Sequence, residues 1–285
     1  MFNQFDEMLG VRKASYMSGI NDGLESAIRN NNAMAKTETA QVEILQPKKI
    51  ENAFQFKVKI SNKTGHRFPS GVGFRRAFLE VSVTDAAGKI KWASGSTNAI
   101  GEILNGETGQ PLESERSTER AGKPFFQPHF QSISRQDQAQ IYEELVADED
   151  GKLTTSFLAI FSHIKDNRLL PKGFSGMGAP GFDAEQVKAV QPHLTTATGQ
   201  TDTDFGNDGA DVVDYNISLP QQTGPVKVTA RLHYQSIPPR YLRDRFSSAQ
   251  GEATQRLFYI TSRLKTEGTA IQNWRLPIAS AEFSF

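Results

Sequence analysis

The chain contains no cysteine. That excludes disulfides, thiolate zinc sites and cysteine nucleophiles. It also excludes covalent attachment of a c-type haem, which needs a C-x-x-C-H motif. Long hydrophobic runs are missing: nothing approaches the roughly 20 apolar residues of a membrane-spanning helix. The first residues, MFNQFDEMLG, lack the basic start and apolar core of a secretory signal. Net charge is absent as well, with 32 Lys and Arg against 32 Asp and Glu in 285 residues. Overall charge therefore gives no support to a nucleic-acid or membrane-surface role. There is no Gly-x-Ser-x-Gly, no His-Glu-x-x-His and no phosphate loop. With no nucleophile–base pair in view, an enzyme ranks last among the readings.

What is present supports a core. Hydrophobic residues make up 37% of the chain, and the length suits one large domain or two modest ones of roughly 150 residues. Residues 4–35 carry Phe5, Leu9, Tyr16, Ile20, Leu24 and Ile28 at about one-turn spacing, which predicts an N-terminal helix. From residue 41 the period changes to two. In FQFKVKI, Phe54, Phe56, Val58 and Ile60 share one face and Gln55, Lys57 and Lys59 the other, the pattern of a half-buried strand. Two hairpins follow, turning at Asp85–Gly88 and at Asp148–Gly151. The return strand of the second, through Phe157–Ile164, is apolar on both faces and reads as a covered, central strand. Residues 101–125 read as a polar surface excursion. A short helix is expected after Asp183 as N-cap, then strands over DVVDYNISL and VKVTARLHYQ, then helices from IPPRYLRDRF and over 252–265. The fold class is mainly β (α+β): an antiparallel β-sandwich core with an N-terminal helix and C-terminal helices. The expected organisation is a helical segment over 1–40 and a β-sandwich domain with long loops over 41–285.

Four constellations could carry chemistry. Between Glu51 and Glu80 there is no acid, but Lys57, Lys59, Lys63, Arg67, Arg75 and Arg76 are present. Such a positive field suits a carboxylate or phosphate ligand, although lysines on outward strand positions are also ordinary edge protection. His66 lies among them in NKTGHRFPSG, where Gly65, Gly71 and Pro69 can present an imidazole rigidly. The same turn could equally hold a plain hydrogen-bonded histidine. Asp202, Asp204 and Asp208 lead an acidic run that continues to Asp211 and Asp214. They offer oxygen ligands for calcium, without the bidentate Glu of an EF-hand; a solvated Asp/Gly loop is the plainer alternative. His163, in phase with Phe157 and Phe161, reads as a residue at the end of a buried strand. Asp166, Asn167 and Arg168 read as a loop-pinning corner. His129, His193 and His233 show no His or acid at metal-ligand spacing in the sequence, and His233 is expected on the polar face of its strand.

Together these residues carry a resemblance. VKISNKTGHRFPSGVGFRRAFLEVSVTDAAGKIKWASG, QAQIYEELVADEDGKLTTSFLAIFSHIKDNRLLPKGF and VTARLHYQSIPPRY resemble the non-haem β-rich region of bacterial multihaem c-type cytochromes, over about residues 40–245. The resemblance implies a periplasmic or extracellular electron-transfer setting. It implies that His66 serves as a distal ligand to a haem held in an upstream region or a partner, with Arg67, Arg75 and Arg76 placed to meet haem propionates. His163 and His129 join that candidate cofactor-binding set. The departure from the family is the missing C-x-x-C-H motif, so redox activity cannot reside in this chain alone. The expected function is an accessory or docking module for a haem-bearing cytochrome domain or protein. The alternative is an extracytoplasmic β-sandwich recognition module for a glycan, surface or protein, stabilised by calcium.

Overall fold

The structure is a computed structural model that describes residues 1, 3–10, 23–174, 181–222 and 224–285. Its first described helix is α1 (Gly23–Glu38). A run of strands follows: β1 (Ala40–Ile50), β2 (Ala53–Asn62), β3 (Arg76–Asp85) and β4 (Ile90–Ser94). After α2 (Glu113–Arg116) come the short strands β5 (Glu119–Arg120), β6 (Lys123–Pro124) and β7 (Ser132–Ile133). Then come β8 (Ile141–Ala147), β9 (Leu153–Thr154), β10 (Ser162–Asp166) and α3 (Ala184–Ala189). The chain finishes with β11 (Ala210–Ser218), β12 (Val226–Gln235), α4 (Pro239–Ser248), α5 (Glu252–Arg263) and β13 (Leu276–Ser284).

The strands build two sheets that pack face to face. The smaller has the order β1-β2-β11-β7; the larger runs β10-β8-β3-β12-β13, with β4 also on β3 and β9 on β8. Pairing is antiparallel throughout these sheets except between β7 and β11. The alternation in β2 faces as the sequence predicts: Phe54, Phe56, Val58 and Ile60 are all buried. They meet Leu79, Val81 and Val83 of β3, Val228, Ala230 and Leu232 of β12, and Val213, Tyr215 and Ile217 of β11 in one core. Phe56 stacks on Tyr215 with ring centroids 5.2 Å apart. Both hairpin turns form. Asp85 Oδ1 accepts from the Ala87 and Lys89 N–H groups, and Asp148 Oδ1 from Asp150 and Lys152. Asp183 caps α3 in a reciprocal capping box with Gln186.

Several expectations are corrected. The 157–164 segment is no central strand: Phe157–Ala159 form a 3-10 turn, and β10 pairs only with β8 at the sheet edge. Phe157, Leu158, Ile160 and Phe161 are exposed, Leu158 completely. The 101–125 excursion is not merely surface, because Ile103 and Leu112 lie over Phe78, Ala139 and Ile141 in a second apolar cluster on the outer face of the larger sheet. The helix expected over 4–35 is not continuous. One turn closes from Phe5 to Leu9 and stops at Gly10, whose φ is +64°, before α1 starts at Gly23. Tyr16 and Ile20 lie outside the described residues, and Ile28 is exposed. β13 packs Leu276 and Ile278 against the core with only the small Ala279 and Ala281 beyond them, and has no sequence signal comparable to β2.

The inter-sheet core makes a direct prediction. Phe56→Ala removes a buried ring from between the sheets and is expected to lower the unfolding free energy by about 3–5 kcal/mol. Urea denaturation followed by circular dichroism measures this; a change below 1 kcal/mol, on the order of a surface substitution, contradicts the packing.

Candidate functional site

The His66 turn follows β2 and is fastened by Asn62, the last residue of that strand. The Asn62 amide nitrogen donates to the carbonyls of His66 at 2.7 Å and Leu170 at 2.9 Å, while its oxygen accepts from the Thr64 N–H and hydroxyl. Phe68 and Leu169 exchange two backbone bonds of 2.8 Å. These contacts tie the turn to the 169–170 segment on the far side of the sequence. Gly71 adopts φ +84°, and a Cβ there would lie 2.8 Å from the Arg75 guanidinium, so the turn needs glycine. Gly65 has no such demand.

His66 is exposed. Its Nδ1 lies 2.9 Å from the Arg67 carbonyl oxygen. A carbonyl can only accept, so Nδ1 carries the proton and Nε2 keeps its lone pair. Nε2 has no hydrogen-bond partner among the described residues. The imidazole is thus held by one nitrogen and offers the other.

The cationic surroundings are less open than the sequence suggests, because acids arrive from distant segments. Arg67 pairs with Asp166 and also donates to the Val190 carbonyl. Arg76 is buried and makes a fork of 2.6 and 2.9 Å to Glu115, with a third bond to Gln235. Neither guanidinium is free for an external anion. Arg75 donates to the Ser70 carbonyl at 3.2 Å and leaves its buried Nε unpaired. Lys57 pairs with Asp214 at 2.6 Å.

Asp166 is the hub of this corner. Arg67 and Arg168 both reach its carboxylate, and Arg168 continues to Glu144 at 3.2 Å. Glu144 in turn lies 3.2 Å from His163 Nδ1. His163 is therefore an exposed residue on an edge strand, not the end of a buried one. Burial raises the Asp166 carboxyl, but Arg168 and Arg67 outweigh it and hold the group below its ordinary value.

His129 sits at the opposite extreme, fully buried. The Gln140 amide oxygen accepts from the Phe130 N–H, and the Asn167 oxygen from Glu143. Both side-chain NH₂ groups are thereby turned onto His129 Nδ1, at 2.8 and 3.1 Å. Nδ1 must accept, so the proton sits on Nε2 and is donated to Asp202 Oδ2 at 3.0 Å. Asp211 Oδ1 lies 3.9 Å from the same Nε2 and has no hydrogen bond, while Tyr142 donates to Asp211 Oδ2 at 2.6 Å. Burial opposes the Asp202 charge, but His129 and the loop N–H groups prevail and lower its pKa; burial raises that of Asp211. His129, Asp202 and Asp211 have the spacing of a metal group. However, the two fixed amides require a proton on the nitrogen a metal would need, so the hydrogen-bond network fits a structural role. Among the described residues Asp202, Asp204 and Asp208 do not converge as a group: Asp202 points inward to His129, Asp204 is exposed, and Asp208 Oδ1 accepts from the Gly173 N–H. His233 is also buried rather than on an open polar face, at 2.7 Å from Glu80. Burial lowers its pKa despite that carboxylate.

Beside the His66 corner lies a cleft of about 370 Å³. Its walls come from the 71–76 loop, the β8–β9 hairpin, the 3-10 turn and the first turn of α4. Sequence reasoning did not find it, because its aromatic residues Phe74, Phe157 and Tyr241 are far apart in the chain. Phe74 and Tyr241 stack with centroids 3.9 Å apart.

No family model matches the chain, and no curated protein matches it. Among solved structures, a penta-heme cytochrome c552 from Thermochromatium tepidum is similar at 15% identity, with a TM-score of 0.40. The match covers 89% of this chain and 41% of that one, so the chain spans less than half the length of that cytochrome. At that score the likeness decides nothing about the site. No described helix is long and apolar enough to cross a membrane.

The corner predicts an acid dependence. Asp166 titrates lower in the folded than in the unfolded chain. Its stabilisation is therefore complete above the ordinary carboxyl value of 3.8 and is lost as pH falls through the folded value. Asp166→Asn is expected to lower stability at pH 7 and to flatten the loss between neutral pH and the acid range. Urea midpoints measured across that range test this; an unchanged acid slope contradicts it.

Proposed function

We propose that this chain is a non-haem docking module of a multihaem c-type cytochrome that presents His66 to a haem carried in an upstream region or a partner. The observation that carries the reading is the His66 imidazole: the residue is exposed, Nδ1 is tied to the Arg67 carbonyl, and Nε2 has no partner among the described residues. A neutral ring fixed through one nitrogen is the form in which histidine serves as a metal ligand. Asn62, Asp166 and the Phe68–Leu169 bridge hold the turn, so little ordering is left for ligation to impose. A haem so placed would supply the redox chemistry; the chain's part is to present, orient and dock. The resemblance to the cytochrome family supports the same reading and, with it, a periplasmic or extracellular setting. Of the three arginines, Arg76 has all three nitrogens engaged, whereas Arg75 keeps a buried Nε without a partner.

A second reading, a β-sandwich recognition module, has one specific support. Phe157, Leu158, Ile160 and Phe161 are neighbouring exposed apolar residues, and Phe157 and Ile160 among them line the cleft. Such a patch marks a contact surface for another molecule, and it would serve docking in either reading.

A c-type haem peptide with an open axial position tests the ligand role. It is expected to show a Soret shift on titration with the chain. His66→Ala is expected to weaken binding at least about ten-fold, the worth of one ligand bond of ~1.4 kcal/mol or more. His163→Ala is expected to leave it unchanged. Equal binding by His66→Ala and the parent overturns the ligand role.

A further inference from the structure

The cleft beside the His66 corner contains a cation with nothing to hold. Arg240 lines it, yet its guanidinium makes no hydrogen bond or ion pair among the described residues. Each acid around it is engaged elsewhere. Glu115 takes Arg76, Glu143 takes Lys165, Glu144 takes Arg168 and His163, and Asp244 takes Arg245 and Thr155. Burial, with Arg76 acting the same way, lowers the Arg240 pKa from its ordinary value against the pull of Glu143, Glu115 and Asp244. Arg240 is half-buried in the cleft wall, so its unpaired guanidinium is reachable by an anion that a ligand supplies.

The surroundings define the rest of that ligand. The cleft wall is largely apolar, with Phe74 and Tyr241 stacked and Phe157 and Ile160 beside them. The volume of about 370 Å³ falls in the range of roughly 300–1,000 Å³ typical of small-molecule sites. The first turn of α4, whose Pro238, Arg240 and Tyr241 line the cleft, has no side-chain cap, so the Arg240 and Tyr241 N–H groups lack intrahelical acceptors.

We propose that this cleft is a binding site for a small organic carboxylate with an apolar or aromatic body, the carboxylate on Arg240 and the body between Phe74, Tyr241, Phe157 and Ile160. The site is independent of the His66 reading. It requires no haem and no partner.

3-Phenylpropionate and its neutral counterpart 3-phenylpropan-1-ol, titrated into the full chain by calorimetry and NMR, test it. The carboxylate is expected to bind saturably and at least about ten-fold more tightly than the alcohol, since a charge-assisted bond is the stronger kind. The Arg240 Nε–H signal should move with the carboxylate and stay still with the alcohol. Arg240→Gln should abolish the preference, Arg240→Lys should keep part of it, and Ile160→Ala should weaken both probes alike. If the parent shows no preference, or the Arg240 signal does not respond, or Arg240→Gln keeps the preference, the site is overturned. The signal from the parent decides the matter even if the Gln variant does not fold.

Discussion

Two arginines from different segments converge on the carboxylate of Asp166. Arg67 comes from the His66 turn; Arg168 stands two residues beyond Asp166 and passes the contact to Glu144 and His163. The backbone of Asp166 meanwhile exchanges bonds of 2.6 and 2.9 Å with His193. One buried acid at the end of β10 thereby joins the His66 turn and the 190–193 segment to the edge of the larger sheet. Removing a partner from such a cluster leaves charge without compensation, which is why it behaves as a single unit. The exposed imidazole of His66 owes its fixed position to this corner and to Asn62.

The same stretch of chain serves two surfaces. Residues 62–67 present His66, and residues 71–76 then form one wall of the cleft. Arg76 lies between these roles, buried and bound to Glu115, where it holds α2 against the root of β3. The apolar tip at Phe157–Phe161 completes the neighbourhood. A partner seated on that tip would touch the cleft mouth and approach the corner that holds His66.

Much of the fold was legible in the chain. The period-two pattern of β2, the Asp-x-x-Gly hairpin turns and the Asp183 cap each follow from local chemistry, and each forms as expected. The failures are non-local. An acid-free run from Glu51 to Glu80 looks like a free positive surface. Yet Arg76 finds Glu115 39 residues away, and Arg67 finds Asp166 99 residues away. His129 shows no acid at ligand spacing in sequence, although Asp202 lies 73 residues on and 3.0 Å away. Apolar residues on both faces of 157–164 suggested burial; hydrophobicity alone does not separate a core strand from an exposed contact surface. Of the candidate cofactor residues, His66 is displayed, His163 is exposed at the cleft, and His129 is enclosed.

The account rests on which nitrogen of His66 carries the proton, and long-range ¹⁵N–¹H correlation of the imidazole ring measures this directly. The neutral ring is expected to carry its proton on Nδ1 and none on Nε2, with Asn62→Ala releasing that preference. A ring in which Nε2 carries the proton, or in which both nitrogens share it as in a free side chain, would contradict it.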